Sequence, residues 1–521
     1  MITVTCMSGK RIKDKLTKIN VAAVLIVATF CMLLLRTKNV YAFDDEALFS
    51  KIDRNMIEVP EDINWIEKGL VEKDEYGREI KYILRNKAVK VYIDDVLVWK
   101  SSDKYLVQDM FIEDIDPDVE KRGDARNRNK SSKEIVLLLW KEGRYGIHRP
   151  FWVLEDEKEY SQHIFTYNIE GDKVSSKWGS SYMGMEAKSM QFKDGILFLT
   201  HEQPKNIKIK YNSDYTETAW KWESFGFEKI EPVEIFVAGD NLMHDVVYED
   251  AIAKHNRDFE YIYKKVEGYT KEADISVINL ETPLVYDERM YSTYPCFGSP
   301  IEVAKGIKDA GFNIVTLSNN HRLDKGVKGI EETLKAVEEN DLLHVGSMDE
   351  KPYLLIKRNG IVFALMNYTY GTNGIRPPKG YENAVNYLSD EDSVRDDIRQ
   401  AKANSDFVIV FPHWGTEYSK EPDAYEKRWR DIFYEEGVDV VVGTHPHVTQ
   451  KYEMYRPDTD AKQEREMLIY YSLGNYISGN QRPDHNSGGV GMISVSLTSK
   501  GARISDYWFR EIDSMYKSSK Y

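Results

Sequence analysis

The sequence predicts an α/β domain with a largely buried sheet, preceded by a β-rich region and an N-terminal apolar segment. Three observations carry this. From Glu231 onward, apolar runs alternate with amphipathic helical stretches. Between Phe43 and Ile230 the chain breaks instead into short alternating runs rich in Trp and Tyr. Residues 19–35 form a single stretch of mostly apolar residues. At 521 residues the chain exceeds one ordinary core, and 42% hydrophobic and 12% aromatic content are globular values.

The N-terminal stretch, "INVAAVLIVATFCMLLL" from Ile19 to Leu35, follows Lys10, Arg11, Lys13, Lys15 and Lys18. A basic stub before an apolar span reads as an export signal, with the stub inside and the bulk of the chain outside the cytoplasm. Arg36 and Lys38 interrupt the span before the small-residue site Val40-Tyr41-Ala42, which favours a single-pass signal-anchor. The alternative is cleavage near Ala42 and secretion. This divides the chain into a stub and anchor (1–43), a β-rich region of unassigned role (44–230) and an α/β region (231–521). Net charge is −15, and the basic stub leaves the remainder still more acidic. Such a body has no general field for nucleic acid. Of the three cysteines only Cys296 lies beyond the apolar segment, so no disulfide framework staples the body.

The β-rich region contains "KAVKVYIDDVLVW", "KEIVLLLW", "HIFTYNI" and "GILFLTH", separated by charged turns. The combination of "DMFIEDIDPD" with "EIVLLLW" has a faint likeness to a propeller blade, without a regular repeat. Asp114, Asp116 and Asp118 alternate, but the glycine of a calcium loop is missing, so they read as solvated carboxylates.

In the α/β region the strands are "VEIFVAGD", "DISVINLE", "FNIVTLSNNH", a hairpin turning at Asn359-Gly360, "DFVIVFPHWG", "VDVVVGTHPH" and "MLIYYSLGN". "EYIYKKVEGYTKEA", "IEVAKGIKDAG" and "VKGIEETLKAVEEN" read as helices, and "GMISVSLTSKGARISDYWFREI" as a closing antiparallel pair. Six strand ends carry metal-competent groups: Asp240, Glu281, Asn320 with His321, His413, His445 with His447, and Asn475. In open α/β sheets that edge binds ligands. Each residue alone has an ordinary explanation as a cap, a turn residue or a core histidine, but six on one expected edge do not. Imidazole, carboxylate and amide oxygens suit zinc, iron or manganese, and a two-metal site needs ligands from several strands. Pro446 between the two histidines stiffens the backbone, and alternation is expected to aim the imidazoles at two different ions.

The ordered motifs "VAGDNLMHD", "ADISVINLETPL", "LSNNHRLDKG", "FPHWGTEY", "VVGTHPHVTQ" and "IYYSLGNYI" resemble those of the CapA/PgsA poly-γ-glutamate capsule biosynthesis proteins, over about Glu231 to Gly491. That family in turn resembles calcineurin-like metallophosphoesterases, which implies a β-sandwich flanked by helices. The resemblance implies Asp240, Glu281, Asn320, His413, His445 and His447 as ligands of two divalent ions, Glu281 bridging, and His321 as the catalytic histidine assisting the leaving group. Leu242 stands where the phosphoesterases carry a histidine, so either His244 takes that place or one ligand is lost.

The implied function is extracytoplasmic biosynthesis or export of a poly-γ-glutamate-type polymer, with the anionic polymer, the membrane and membrane-bound synthase subunits as partners. The alternatives are a metal-dependent phosphoester or amide hydrolase at the cell surface, and a surface polymer-binding protein. Cations for an acidic polymer would come from the metal, or from Arg322, Lys325, Lys420 and Arg428 near the motifs.

Overall fold

The computed structural model describes residues 59–60, 62–116, 133–202, 215–223, 225–457, 465–479 and 487–516. The basic stub, the apolar segment 19–35 and Asp118 lie outside them. Among the described residues no helix is long and apolar enough to cross a membrane.

The N-terminal part is built from three successive four-stranded antiparallel meanders. The first runs Lys68–Lys73, Glu79–Arg85, Ala88–Ile93 and Val96–Lys100. The second runs Leu106–Glu113, Glu134–Glu142, Tyr160–Glu170 and Lys173–Gly179, and the third Ala187–Lys193, Ile196–Glu202, Tyr215–Glu223 and Gly226–Ile230. Asn86-Lys87 and Asp94-Asp95 turn the first meander with both central residues at positive φ, as the twist of a two-residue hairpin requires. The second sheet is sandwiched between the others. Ile135, Leu137 and Leu139 pack with Ile80, Val89 and Val91 of the first sheet. Val136 and Leu138, on the opposite face, pack with Leu197, Leu199 and Trp222 of the third. The run "IVLLLW", Ile135 to Trp140, is apolar at every position because both faces are covered.

The C-terminal part holds two sheets facing each other. The first has the order Leu343–Val345, Ile314–Thr316, Ile275–Leu280, Val233–Leu242, Ser487–Thr498 and Gly501–Asp513, with Asn475–Ser478 added to the end of Val233–Leu242. Its first four strands are parallel, and the last two form the expected antiparallel pair. The second sheet has the order Leu354–Arg358, Ile361–Thr369, Phe407–His413, Val440–Val442, Met467–Tyr470 and Tyr452–Tyr455. The Asn359-Gly360 hairpin forms as expected.

Ile235, Val237, Ile275 and Val277 of the first sheet meet Phe363, Ile409, Val440 and Leu468 of the second in one core. The alternate residues Phe236, Ala238 and Ile278 face outward onto the helices Asp245–Lys254, Glu302–Asp309 and Gly326–Glu339. On the other side Val408, Val410 and Val441 face Glu391–Ala403 and Ala424–Glu436. The result is a β-sandwich with helices on both outer faces, the architecture the family resemblance implies.

Two expectations change. The strand ends belong to two sheets rather than to one, because the chain starts a second sheet at Leu354. The helix expected over Glu260–Ala273 is a 3₁₀ turn, Glu260–Ile262, and a short helix, Glu267–Glu272. Tyr263 turns inward to donate to Asn241 Oδ1 at 3.2 Å, and Lys265 donates to the carbonyls of Tyr476 and Asp513. These tertiary bonds hold residues 263–266 out of helical register.

Leu137→Ala and Leu138→Ala test the three-layer packing, since they point to opposite faces of one strand. Each is expected to cost about 2–5 kcal/mol, read as a lowered urea midpoint of the unfolding transition. If either is neutral, that face of the middle sheet is open.

Candidate metal centre

The parallel strands of both sheets end at the same place, and the sequence allows it by leaving out side chains. A Cβ on Gly239 would lie 1.9 Å from the Gly474 carbonyl oxygen, and one on Gly443 1.9 Å from that of Tyr471. Glycine at both points lets the strand ends close together, with Asp240 N donating to Gly474 O at 2.9 Å.

Asp240, Glu281, Asn320 and His321 reach the junction from the first sheet, and His413, His445 and His447 from the second. All seven are buried. Glu281, His445 and His447 offer ligand atoms within 4.8 Å of one another. His413 Nε2 stands 3.5 Å from Glu281 Oε1 and 2.9 Å from Asn320 Oδ1. His445 and His447 adopt φ of 99° and 59°. The segment is therefore not the extended, alternating strand expected for His-Pro-His. Both imidazoles turn into one pocket, their ring centres 5.8 Å apart. Left-handed backbone at two non-glycine residues costs of order 1–3 kcal/mol each and persists where the surroundings enforce it.

Outer contacts orient these side chains. Asp240 Oδ1 accepts from Asn279 Nδ2 at 2.7 Å, and its Oδ2 from the His445 N–H at 3.2 Å. The His447 Nδ1–H lies 3.1 Å from Asp240 Oδ2 and 3.0 Å from Asn475 Oδ1, which leaves Nε2 facing Glu281 Oε1 at 3.8 Å. His413 Nδ1 is 3.0 Å from Thr444 Oγ1. His321 is held by Asp324, whose Oδ2 lies 2.8 Å from Nδ1 and also accepts from the Phe297 N–H. Phe297 stands edge-on to both His321 and His244. Tyr370 and Tyr418, 38% and 37% exposed, lean over His445 and His447 and form the mouth.

Electrostatics sort the histidines. Burial, and then the neighbouring imidazoles, hold His413 and His445 well below the usual range, so both are neutral, which is the ligand form. Burial also opposes charge on His447, but the Glu281 and Asp240 carboxylates outweigh it and its pKa is about 9. Burial, and then the Asp240 charge, push the Glu281 carboxyl far up.

A cation fits this donor set. Neither oxygen of Glu281 has a hydrogen-bond partner, and neither does His445 Nδ1. Buried acceptors without donors cost several kcal/mol, and a divalent ion satisfies them together. The donors are oxygen and nitrogen. Cys296, the one cysteine among the described residues, turns its Sγ to the Asp324 carbonyl. This is the donor chemistry of zinc, iron or manganese.

Some sequence candidates stand apart. Leu242 is buried and apolar. His244 Nδ1 accepts the Gly479 N–H at 3.1 Å. Arg322 is buried, donating to Ser347 Oγ and the Ile330 carbonyl; Lys325 donates to Ser292 and Arg428 pairs with Glu391. Sequence reasoning missed Asp324, although its spacing of three from His321 was a usable signal. Nothing local to the sequence marked Thr444, Tyr370 or Tyr418.

Glu281→Gln separates a ligand from a structural role. Without metal the variant should be about as stable as the wild type, because a neutral amide of the same shape replaces a carboxyl that has no hydrogen-bond partner. Added Mn²⁺ or Zn²⁺ at ~100 times its Kd should stabilise the wild type by about 2.7 kcal/mol and the variant not at all, read by thermal melting. A large loss of stability in the metal-free variant would make Glu281 structural.

Residues 234–480 match the family model described as bacterial capsule synthesis protein PGA_cap. The capsule biosynthesis protein CapA of Bacillus anthracis is 30% identical over 260 residues, 47% of this chain and 60% of that protein. The PGA biosynthesis protein CapA of Bacillus subtilis is 28% identical over 224 residues, 42% of this chain and 56% of that protein. The chain thus spans less than two thirds of these relatives. Among solved structures, a phosphatase from Mycoplasma pneumoniae is similar at TM-score 0.36 and 14% identity, covering 54% of this chain and 94% of that one. The calcineurin-like phosphoesterase YfkN from Bacillus subtilis is similar at TM-score 0.34 and 13% identity, covering 54% and 91%. The six motifs, their meeting at one junction and the two capsule relatives converge on residues 234–480, the part of the chain that matches the bacterial capsule synthesis protein PGA_cap.

Proposed function

We propose that this chain acts at the outer face of the cell membrane in the biosynthesis or export of an anionic polymer such as poly-γ-glutamate, through a divalent metal centre at Glu281, Asn320, His413, His445 and His447. One observation carries the reading: a partnerless buried carboxylate among three histidines, inside a capsule-synthesis domain. The apolar segment 19–35 behind its basic stub is the proposed anchor, and membrane-bound synthase subunits are the proposed partners. Three of the four basic residues near the motifs are engaged elsewhere, so the ion is the proposed source of attraction for an acidic chain.

When bound, a divalent ion polarises a carbonyl or phosphoryl oxygen and lowers the pKa of a water. The protein's own residues supply the rest. His413 and His445 present neutral nitrogens, Tyr370 and Tyr418 narrow the mouth, and His321, braced by Asp324, is placed to hold or pass a proton. That dyad favours a second reading, hydrolysis of an amide or phosphoester at the same centre.

In the host strain, Glu281→Gln and His445→Ala are expected to lower surface polymer to the level of the deletion while the protein accumulates normally. Wild-type polymer levels in both variants would end the proposal. Protease added to intact cells should digest the chain beyond about Asp44; protection until lysis would reverse the orientation. For the second reading, turnover of a γ-glutamyl amide or phosphodiester by the purified protein should fall ~10²–10⁴-fold in His321→Ala. Absence of any wild-type turnover leaves binding and export as the function.

A further inference from the structure

We propose that this pocket holds one divalent ion rather than two, and that Asp240 is not a ligand but a positioning residue that fixes His447. The inference rests on the metal reading above and adds its number and the division of labour within it.

The acceptors awaiting a cation form one group. Both Glu281 oxygens and His445 Nδ1 lack partners, and with His447 they gather within 4.8 Å. His413 adjoins the same carboxylate, its Nε2 3.5 Å from Glu281 Oε1, and Asn320 Oδ1 lies 2.9 Å from that nitrogen. These lone pairs supply the donors of one ion.

The Asp240 side of the pocket is made differently. Its Oδ1 faces an N–H of Asn279, and its Oδ2 faces two more, the His445 backbone N–H and His447 Nδ1–H. Three donors converge on this carboxylate, and donors repel a cation. Asn475 Oδ1 shares the His447 Nδ1–H, so two acceptors fix the proton on Nδ1 and leave Nε2 to face Glu281. A carboxylate that orients a histidine through its far nitrogen is a recurring outer-sphere arrangement of metal sites.

The strand that carries Asp240 adds no second donor beside it. Leu242 is apolar and buried there. His244 spends its Nδ1 on the Gly479 N–H, and its ring stands edge-on to Phe297 at 5.2 Å.

Elemental analysis and calorimetric titration of the detergent-purified full chain with Mn²⁺ and Zn²⁺ test this. The wild type should saturate at one ion per chain. Asp240→Asn should keep that one site with ~10–100-fold weaker binding, whereas Glu281→Gln should abolish it. Cobalt absorption separates positioning from mere folding. With Co²⁺, Asp240→Asn should keep the wild-type number of ligand-field bands, shifted in position, and its metal-free far-UV spectrum should show the wild-type fold, at a lowered melting temperature because an amide cannot accept all three N–H groups. Two ions in the wild type falling to one in Asp240→Asn would overturn the proposal and leave the metal reading standing. No uptake by the wild type would end both.

Discussion

A buried carboxylate with nothing to donate to it organises the C-terminal part of this chain. Glu281 has no hydrogen-bond partner, yet it sits where the parallel strands of two sheets end. Left alone, such a group favours protonation, and burial does push its carboxyl far up. The surroundings do not relieve it with N–H donors. They place the neutral imidazoles of His413 and His445 beside it and reserve the donors for Asp240. One carboxylate is saturated and its neighbour is left open, and that asymmetry makes a site out of a polar core.

Holding the asymmetry in place needs a stiff frame. The two sheets share one apolar core, and each is backed by helices, so their strand ends cannot drift apart. Gly239 and Gly443 bring neighbouring backbones together, and the left-handed residues at 445 and 447 turn both imidazoles inward. The unfavourable backbone at those two positions is offset by the packing around them, as is common where geometry serves a ligand.

Much of this was legible in the chain. Buried apolar runs ending in Asp, Asn or His stand out, because interior strands rarely need such groups, and the hairpin at Asn359-Gly360 carries its own turn chemistry. The division into two sheets was not legible, since parallel strands covered on both faces look alike in either sheet. His-Pro-His suggested an extended segment; positive φ at both histidines flanking a proline is uncommon, and the packing around them enforces it. In the N-terminal part the three meanders repeat in architecture but not in length. Ala88–Ile93 and Val96–Lys100 are two residues apart, whereas Leu106–Glu113 and Glu134–Glu142 are separated by residues 114–133, so no period survives.

The central strand of the first sheet, Val233–Leu242, pairs with Ser487–Thr498, and the Ser494 hydroxyl bonds to Glu234 across 260 residues of chain. That pairing has a temporal consequence. During synthesis Val233–Leu242 emerges long before its partner, so one of its edges stays open until nearly the whole sandwich has been made. Contacts this distant in sequence form slowly, and an open apolar edge is a surface on which chains stick to one another. The region ahead of it avoids the problem, because each meander pairs only with strands next to it in the chain. The meanders can close as they appear, while the half that carries the metal pocket depends on being kept apart from its copies until the last hairpin arrives.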